Sequence, residues 1–125
     1  MDRNTISVHT KLRMNILFVE DNANTARASK VMLELRGYTV DTAGSVRAAK
    51  ECLAAKEYDV ILSDIRLPDG TGYDLLASLP RPLRAIALSG LTSAADREEA
   101  LSKGFTVFLA KPFRTDELIA AIEGK

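Results

Sequence analysis

Five short runs of strand-forming residues, at 15–19, 38–43, 58–63, 84–88 and 106–110, recur along the chain, each followed by a segment with helical periodicity. Runs of this length bracketed by turn residues read as strands. Four of them are nearly continuous in apolar residues, as parallel strands covered on both faces require. The second, Tyr38-Thr39-Val40-Asp41-Thr42-Ala43, alternates and reads as an edge strand. Strand–helix alternation of this kind builds an open, parallel, doubly wound α/β sheet.

The intervening segments carry helix signals. Residues 23–36 place Ala28, Val31, Met32 and Leu35 on one face, predicted to be the buried one, and Gly37 follows as a stop. Ser45 is an N-cap for a helix over 46–56 with Val46, Ala49 and Leu53 on its stripe. Thr71 with Asp74 forms a capping box for a short helix through Leu79, which Pro80 and Pro82 end. Ser93 with Asp96 repeats that signal before a helix over 94–103, and Gly104 stops it. Thr115 is read as the cap of the last helix, which buries Leu118, Ile119 and Ile122. The helix over 94–103 has the weakest apolar stripe; it reads as a solvated surface helix or as an element able to move.

A length of 125 residues suits one domain. The pattern spans 14–125; residues 1–13 stand outside it and read as a tail or linker, with Ile6, Val8 and Leu12 spaced as on one strand face. Seventeen basic side chains balance seventeen acidic ones, so nothing draws the whole chain to nucleic acid or to an anionic membrane. No apolar run reaches the length of a membrane span, and residues 1–13 lack the apolar core of a signal peptide. The single Cys52 makes no internal disulfide, which points to a reducing, cytoplasmic compartment.

The chemistry lies where the strands end. Glu20 and Asp21 follow the first run, Asp64 the third, Ser89 the fourth and Lys111 the last. Ligands of open α/β sheets bind at the carboxyl ends of the strands, so parallel neighbours would bring all five groups to one edge. Three carboxylates, a hydroxyl and an ammonium together suit a hard cation and a phosphoryl group. Singly, each has an ordinary explanation: acids that favour a helix N-terminus, a solvated lysine, a turn serine before Gly90.

The residues also match a family. Ile16-Leu17-Phe18-Val19-Glu20-Asp21-Asn22, Asp64-Ile65-Arg66-Leu67-Pro68-Asp69-Gly70-Thr71-Gly72, Ala87-Leu88-Ser89-Gly90 and Gly104-Phe105 through Lys111-Pro112-Phe113 occur in order, each at a strand end. Over 14–125 the chain resembles the receiver domain of two-component response regulators. The resemblance implies a single (βα)5 flavodoxin-like domain with a five-stranded sheet in the order 2-1-3-4-5. It implies Asp64 as phosphoacceptor, and Mg²⁺ held by Glu20, Asp21, Asp64 and the backbone carbonyl of Arg66. Lys111 would pair with Asp64 and then with the phosphoryl oxygens, with the Lys111–Pro112 bond cis. Ser89 would hydrogen-bond the phosphoryl group. The side chains of Arg66 and Leu91 would flank the site and tune the phosphoryl lifetime, although Arg66 also reads as a solvated loop residue.

Phe108 falls at the family's aromatic switch position, often Tyr. Phe has no hydroxyl, so a hydrogen-bonded readout is not open to it, and an ordinary core Phe is the competing reading. Asp59 and Asp69 read as structural. The implied donor is a histidine kinase or a histidine phosphotransfer protein, with no direct nucleic-acid binding and no membrane insertion. The Ser89-Gly90 and Gly104-Phe105 pairs resemble receivers appended to hybrid histidine kinases, and 125 residues leave no room for an effector domain. Self-phosphorylation and autohydrolysis make this a switch rather than an enzyme. The alternative is a constitutive interaction module on the same fold. An aspartyl phosphohydrolase would want an acid where Arg66 stands. A nucleotide or flavin binder would not place Glu20-Asp21-Asn22 at its phosphate loop.

Overall fold

The computed structural model describes residues 14–90 and 93–124; the readings made on 1–13 and on Leu91 lie outside it. Among the described residues, seven strands and five helices follow one another: β1 (Asn15–Val19), α1 (Ala23–Leu35), β2 (Thr39–Ala43), α2 (Val46–Ala55), β3 (Val60–Asp64), β4 (Arg66–Leu67), β5 (Gly70–Thr71), α3 (Gly72–Ala77), β6 (Arg84–Ser89), α4 (Ala94–Ser102), β7 (Val107–Ala110) and α5 (Thr115–Glu123). The main sheet is parallel throughout, in the order β2-β1-β3-β6-β7. Counting only its five strands, that is the expected order 2-1-3-4-5. The small antiparallel hairpin β4–β5 had no signature in the sequence beyond a Pro-Asp-Gly turn.

Alternating residues of each strand enter two separate cores. Leu17, Val19, Ile61, Ala85, Ala87 and Phe108 face α2, α3 and α4. Ile16, Phe18, Val60, Leu62, Ile86 and Leu88 face α1 and α5. Each fully buried Leu, Ile or Phe contributes about 1.5–3 kcal/mol relative to exposure. Both faces of the central strands are therefore dry, which explains their nearly continuous apolar runs.

Helix α1 departs from expectation. Its buried residues are Ala26, Ser29 and Leu33, while Val31 is 53% and Leu35 81% exposed. The predicted stripe of Ala28, Val31, Met32 and Leu35 lies about 140° around the helix from the face that packs. Leu33 packs fully buried with the small Ala26 and Ser29 on the sheet side, while Val31 and Leu35 turn outward and Met32 is half-buried.

Two boundaries also shift. Helix α3 stops at Ala77 rather than Leu79. In α5, Arg114 occupies the cap position and Thr115 is the first helical residue; the Glu117 carboxylate accepts from the Arg114 N–H at 2.8 Å. The caps at Ser45, Thr71 and Ser93 form as read, each hydroxyl accepting from the amide three residues on. Gly37 and Gly104 adopt φ of 97° and 117°, conformations that end α1 and α4 at little cost for glycine. Ala100 is the one buried residue of α4, and Leu101 is exposed.

Candidate functional site

Ladder register brings the strand ends together. Val19 pairs with Ser63, Asp64 with Leu88, and Ser89 with Ala110. Just past the ladder, the Glu20 N–H donates to the Ala43 carbonyl at 2.9 Å and the Lys111 N–H to the Ser89 carbonyl at 2.8 Å. Glu20, Asp21, Asp64, Ser89 and Lys111 thus share one edge of the sheet.

The Lys111 ammonium lies 2.8 Å from Glu20 Oε1 and 2.6 Å from Asp64 Oδ1. The first contact is a hydrogen bond; the second is a close ion pair to a buried Asp64 oxygen. Glu20 Oε2 accepts from the Asn22 N–H at 3.1 Å. Glu20 and Asp64 are buried while Asp21 is exposed, and each of the three offers an oxygen within 4.8 Å of the others.

The electrostatics follow from that crowding. Burial and the neighbouring Glu20 push the Asp64 carboxyl up to about 7, against the pull of Lys111. Burial also raises Glu20, but the donors at Asp64, Lys111 and Asn22 outweigh it and hold Glu20 below the usual carboxylate range. Burial lowers Lys111, and its two carboxylate partners more than reverse that. Of the two carboxyls, Asp64 is therefore the one that takes up a proton more readily in the absence of any cation. A divalent ion beside these oxygens would take over the proton's part, and an all-oxygen carboxylate set is what Mg²⁺ prefers. The donor chemistry fits a hard dication.

Above Asp64 opens a cavity of about 240 Å³ lined by Ile65, Arg66, Leu88, Ser89, Gly90 and Lys111. A Cβ on Gly90 would meet nothing within 4 Å, so this glycine leaves the mouth of the cavity uncovered rather than relieving a clash. Arg66, two residues beyond Asp64, is exposed on the cavity wall. The Lys111–Pro112 bond is cis. A second groove of about 460 Å³ runs from Lys111 along Thr25, Ala28, Ser29, Pro112 and Phe113.

Backbone packing fixes the acceptor strand end. Ser63 Oγ donates to the Asp64 carbonyl, and the Gly72 N–H donates to the Ile65 carbonyl, both at 2.8 Å. A Cβ on Gly72 would sit 2.7 Å from the Asp64 carbonyl oxygen, so only glycine allows that approach. Phe108 points into the core with 4% exposure, and the Arg97 guanidinium of α4 lies over its ring, 5.0 Å from the centroid.

Several of these features escaped sequence reasoning. The Asp69 carboxylate accepts from the Val46 and Arg47 N–H groups at 2.8 and 3.0 Å, across the gap to α2. Nothing local announces that bond, because Ser45 already supplies α2 with a cap. Asp59 accepts from the Asn15 N–H at 2.8 Å and anchors the start of β1. The Arg97–Phe108 contact joins two elements and leaves no periodic trace.

Comparison with known proteins agrees with this geometry. The family model described as the response regulator receiver domain matches residues 16–123. The transcriptional regulatory protein KdpE of Mycobacterium tuberculosis is 36% identical over 109 residues, covering 86% of this chain and 48% of that protein. The cell cycle response regulator CtrA of Brucella ovis is 32% identical over 114 residues, covering 87% of this chain and 48% of that protein. The chain thus spans about half the length of the curated relatives it matches. Among solved structures, the chemotaxis response regulator CheY4 of Vibrio cholerae superposes with a TM-score of 0.82 at 26% identity, covering 90% of this chain and 98% of that one. A Burkholderia pseudomallei response regulator, solved with a phosphorylated aspartic acid, a calcium ion and citrate, gives 0.79 at 30% identity, covering 87% of this chain and 66% of that one. No helix among the described residues is long and apolar enough to cross a membrane. Fold, strand-end chemistry and relatives agree: the chain belongs to the response regulator receiver domain family.

Proposed function

We propose that residues 14–125 form a phosphorylation switch in which Asp64 takes a phosphoryl group from a phosphohistidine. The observation that carries this reading is the buried Asp64 carboxyl, crowded by Glu20 and Asp21, paired to Lys111 and open to a cavity with room for a phosphoryl group. An Asp64 oxygen attacks phosphorus in line, the P–N bond breaks, and the imidazole leaves. Two anions must approach for this, and Lys111 offsets part of their repulsion. Glu20, Asp21, Asp64 and the Arg66 carbonyl would hold Mg²⁺, which when bound neutralises charge on the transferring oxygens. Ser89 would then donate to a phosphoryl oxygen. The acyl phosphate ends by hydrolysis, with no separate substrate turned over. The phosphorylated aspartic acid and calcium ion of the Burkholderia pseudomallei relative support the same chemistry here.

The donor is a histidine kinase or a histidine phosphotransfer protein. Its docking surface would be the outward apolar stripe Ala28, Val31 and Leu35 of α1 with the groove at Pro112 and Phe113, which shares Lys111 with the site. Readout would pass through the Ser89 loop, Phe108 and α4. Since Phe108 lacks a hydroxyl, ring packing and the Arg97 contact would carry that signal. The lone Cys52 suits a cytoplasmic setting.

Fluorine NMR with beryllofluoride tests the site without a labile adduct. Bound signal that requires Mg²⁺ and disappears in Asp64→Asn is the expected result. No bound signal in the wild type with Mg²⁺ present would favour a constitutive interaction module instead.

A further inference from the structure

The proposed cation ligands come from two segments. Glu20 and Asp21 follow β1; Asp64 ends β3 and Arg66 opens the β4–β5 hairpin. The β1–β3 ladder holds them together only as far as Val19 and Ser63. Beyond that pair a second connection runs around the outside. The Glu20 N–H is bonded to the Ala43 carbonyl, the chain continues through Gly44 and Ser45, and the first two amides of α2 bind the Asp69 carboxylate at 2.8 and 3.0 Å. Asp69 sits in the turn of the hairpin that carries Arg66.

We propose that Asp69 is a positioning residue for the cation site: it clamps the Arg66 hairpin onto α2, which is itself fastened to Glu20. The inference rests on the reading of the site given above. A hairpin with two residues per strand does not hold its own shape in water, so its position must come from what it touches. The clamp is a charged, two-pronged contact at the positive end of a helix, stronger than a neutral hydrogen bond. It is additional to the ordinary cap, because Ser45 Oγ already accepts from the Ala48 N–H at 3.0 Å. The neighbouring glycine leaves no slack. A Cβ on Gly70 would fall 3.1 Å from Val46 Cγ2 and 2.6 Å from Asp74 Oδ2, so the tip is pressed between α2 and the cap of α3. Asp69 itself is exposed and touches neither the acceptor nor the cavity, so its effect on the site passes through Arg66.

Mg²⁺ titration by calorimetry, alongside thermal melts, tests this with Asp69→Ala, Asp69→Asn and Ile122→Val. Ile122 is a core residue of α5 far along the chain from the clamp, and its truncation matches the stability loss without touching the hydrogen-bond path. Asp69→Ala should weaken Mg²⁺ about tenfold, the low end for groups that orient ligands from outside. Asp69→Asn, which keeps one oxygen acceptor, should weaken it less. Ile122→Val should lower Tm by about 4 °C, as Asp69→Ala does, and leave Mg²⁺ affinity unchanged. Wild-type affinity in Asp69→Ala, or an equal loss in Ile122→Val, overturns the clamp alone. A wild type that binds no Mg²⁺ overturns the reading of the site together with the clamp.

Discussion

Asp64 and Glu20 lie side by side out of water, and that crowding makes Asp64 hold a proton to higher pH than an exposed carboxyl would. They and the three polar groups around them, Asp21, Ser89 and Lys111, were legible in the sequence because each follows or ends a strand, and a parallel sheet delivers strand ends to one edge. Their protonation was not legible, since it depends on burial and on distances of a few ångströms. It has a testable consequence for stability. Burial and the neighbouring Glu20 push the Asp64 carboxyl up to about 7 in the folded chain, against about 3.9 when unfolded. Between those values the folded state binds more protons, so stability falls as pH rises through the window. Asp64→Asn removes that penalty. In the presence of a chelator, melts near pH 8 should find Asp64→Asn more stable than wild type, with the gap closing as pH is lowered toward about 5. A variant less stable than wild type near pH 8 would contradict the crowding described for this site.

Strands and helices differed in how far their sequences disclosed them. Three central strands, β1, β3 and β6, were legible because both faces are covered, which demands unbroken apolar runs; β7 carries such a run although it lies at the sheet edge and is only half-buried. The buried face of α1 was not, because the strongest apolar stripe of that helix is the one turned to solvent. Ala26, Ser29 and Leu33 pack where Val31 and Leu35 are expected, and periodicity reports a stripe without saying which side meets the sheet. Two alanine substitutions separate the readings. Leu33→Ala should cost about 2–5 kcal/mol in chemical unfolding, as buried leucines do. Leu35→Ala should stay within about 0.5 kcal/mol and slow phosphotransfer from a donor protein. Equal costs would return the stripe to the core. Helix α4 was read correctly as weakly packed. It is attached through Ala100 and through cations over rings, Arg97 on Phe108 and Lys103 on Tyr73 at 4.6 Å. Such contacts contribute about 0.5–1 kcal/mol each at exposed sites, little enough to be exchanged in the proposed switch.

The whole molecule is a sheet between two helical layers with unlike ends. At the carboxyl end the groups are charged, crowded and open to a cavity. At the other end polar contacts pin the layers: Tyr38 donates to Glu123 at 2.5 Å and Tyr58 to Asp41 at 2.7 Å. Pinned contacts at one end and crowded carboxylates at the other suit the proposed domain whose response begins at Asp64 and spreads through the nearest loops. The most direct test of that account is intact mass after incubation with a small acyl phosphate, with and without Mg²⁺, for wild type and Asp64→Asn. The account predicts one added phosphoryl group in the wild type with Mg²⁺, and none without the cation or in the variant. A wild type that gains no mass with Mg²⁺, or an Asp64→Asn that gains as much as wild type, would contradict it.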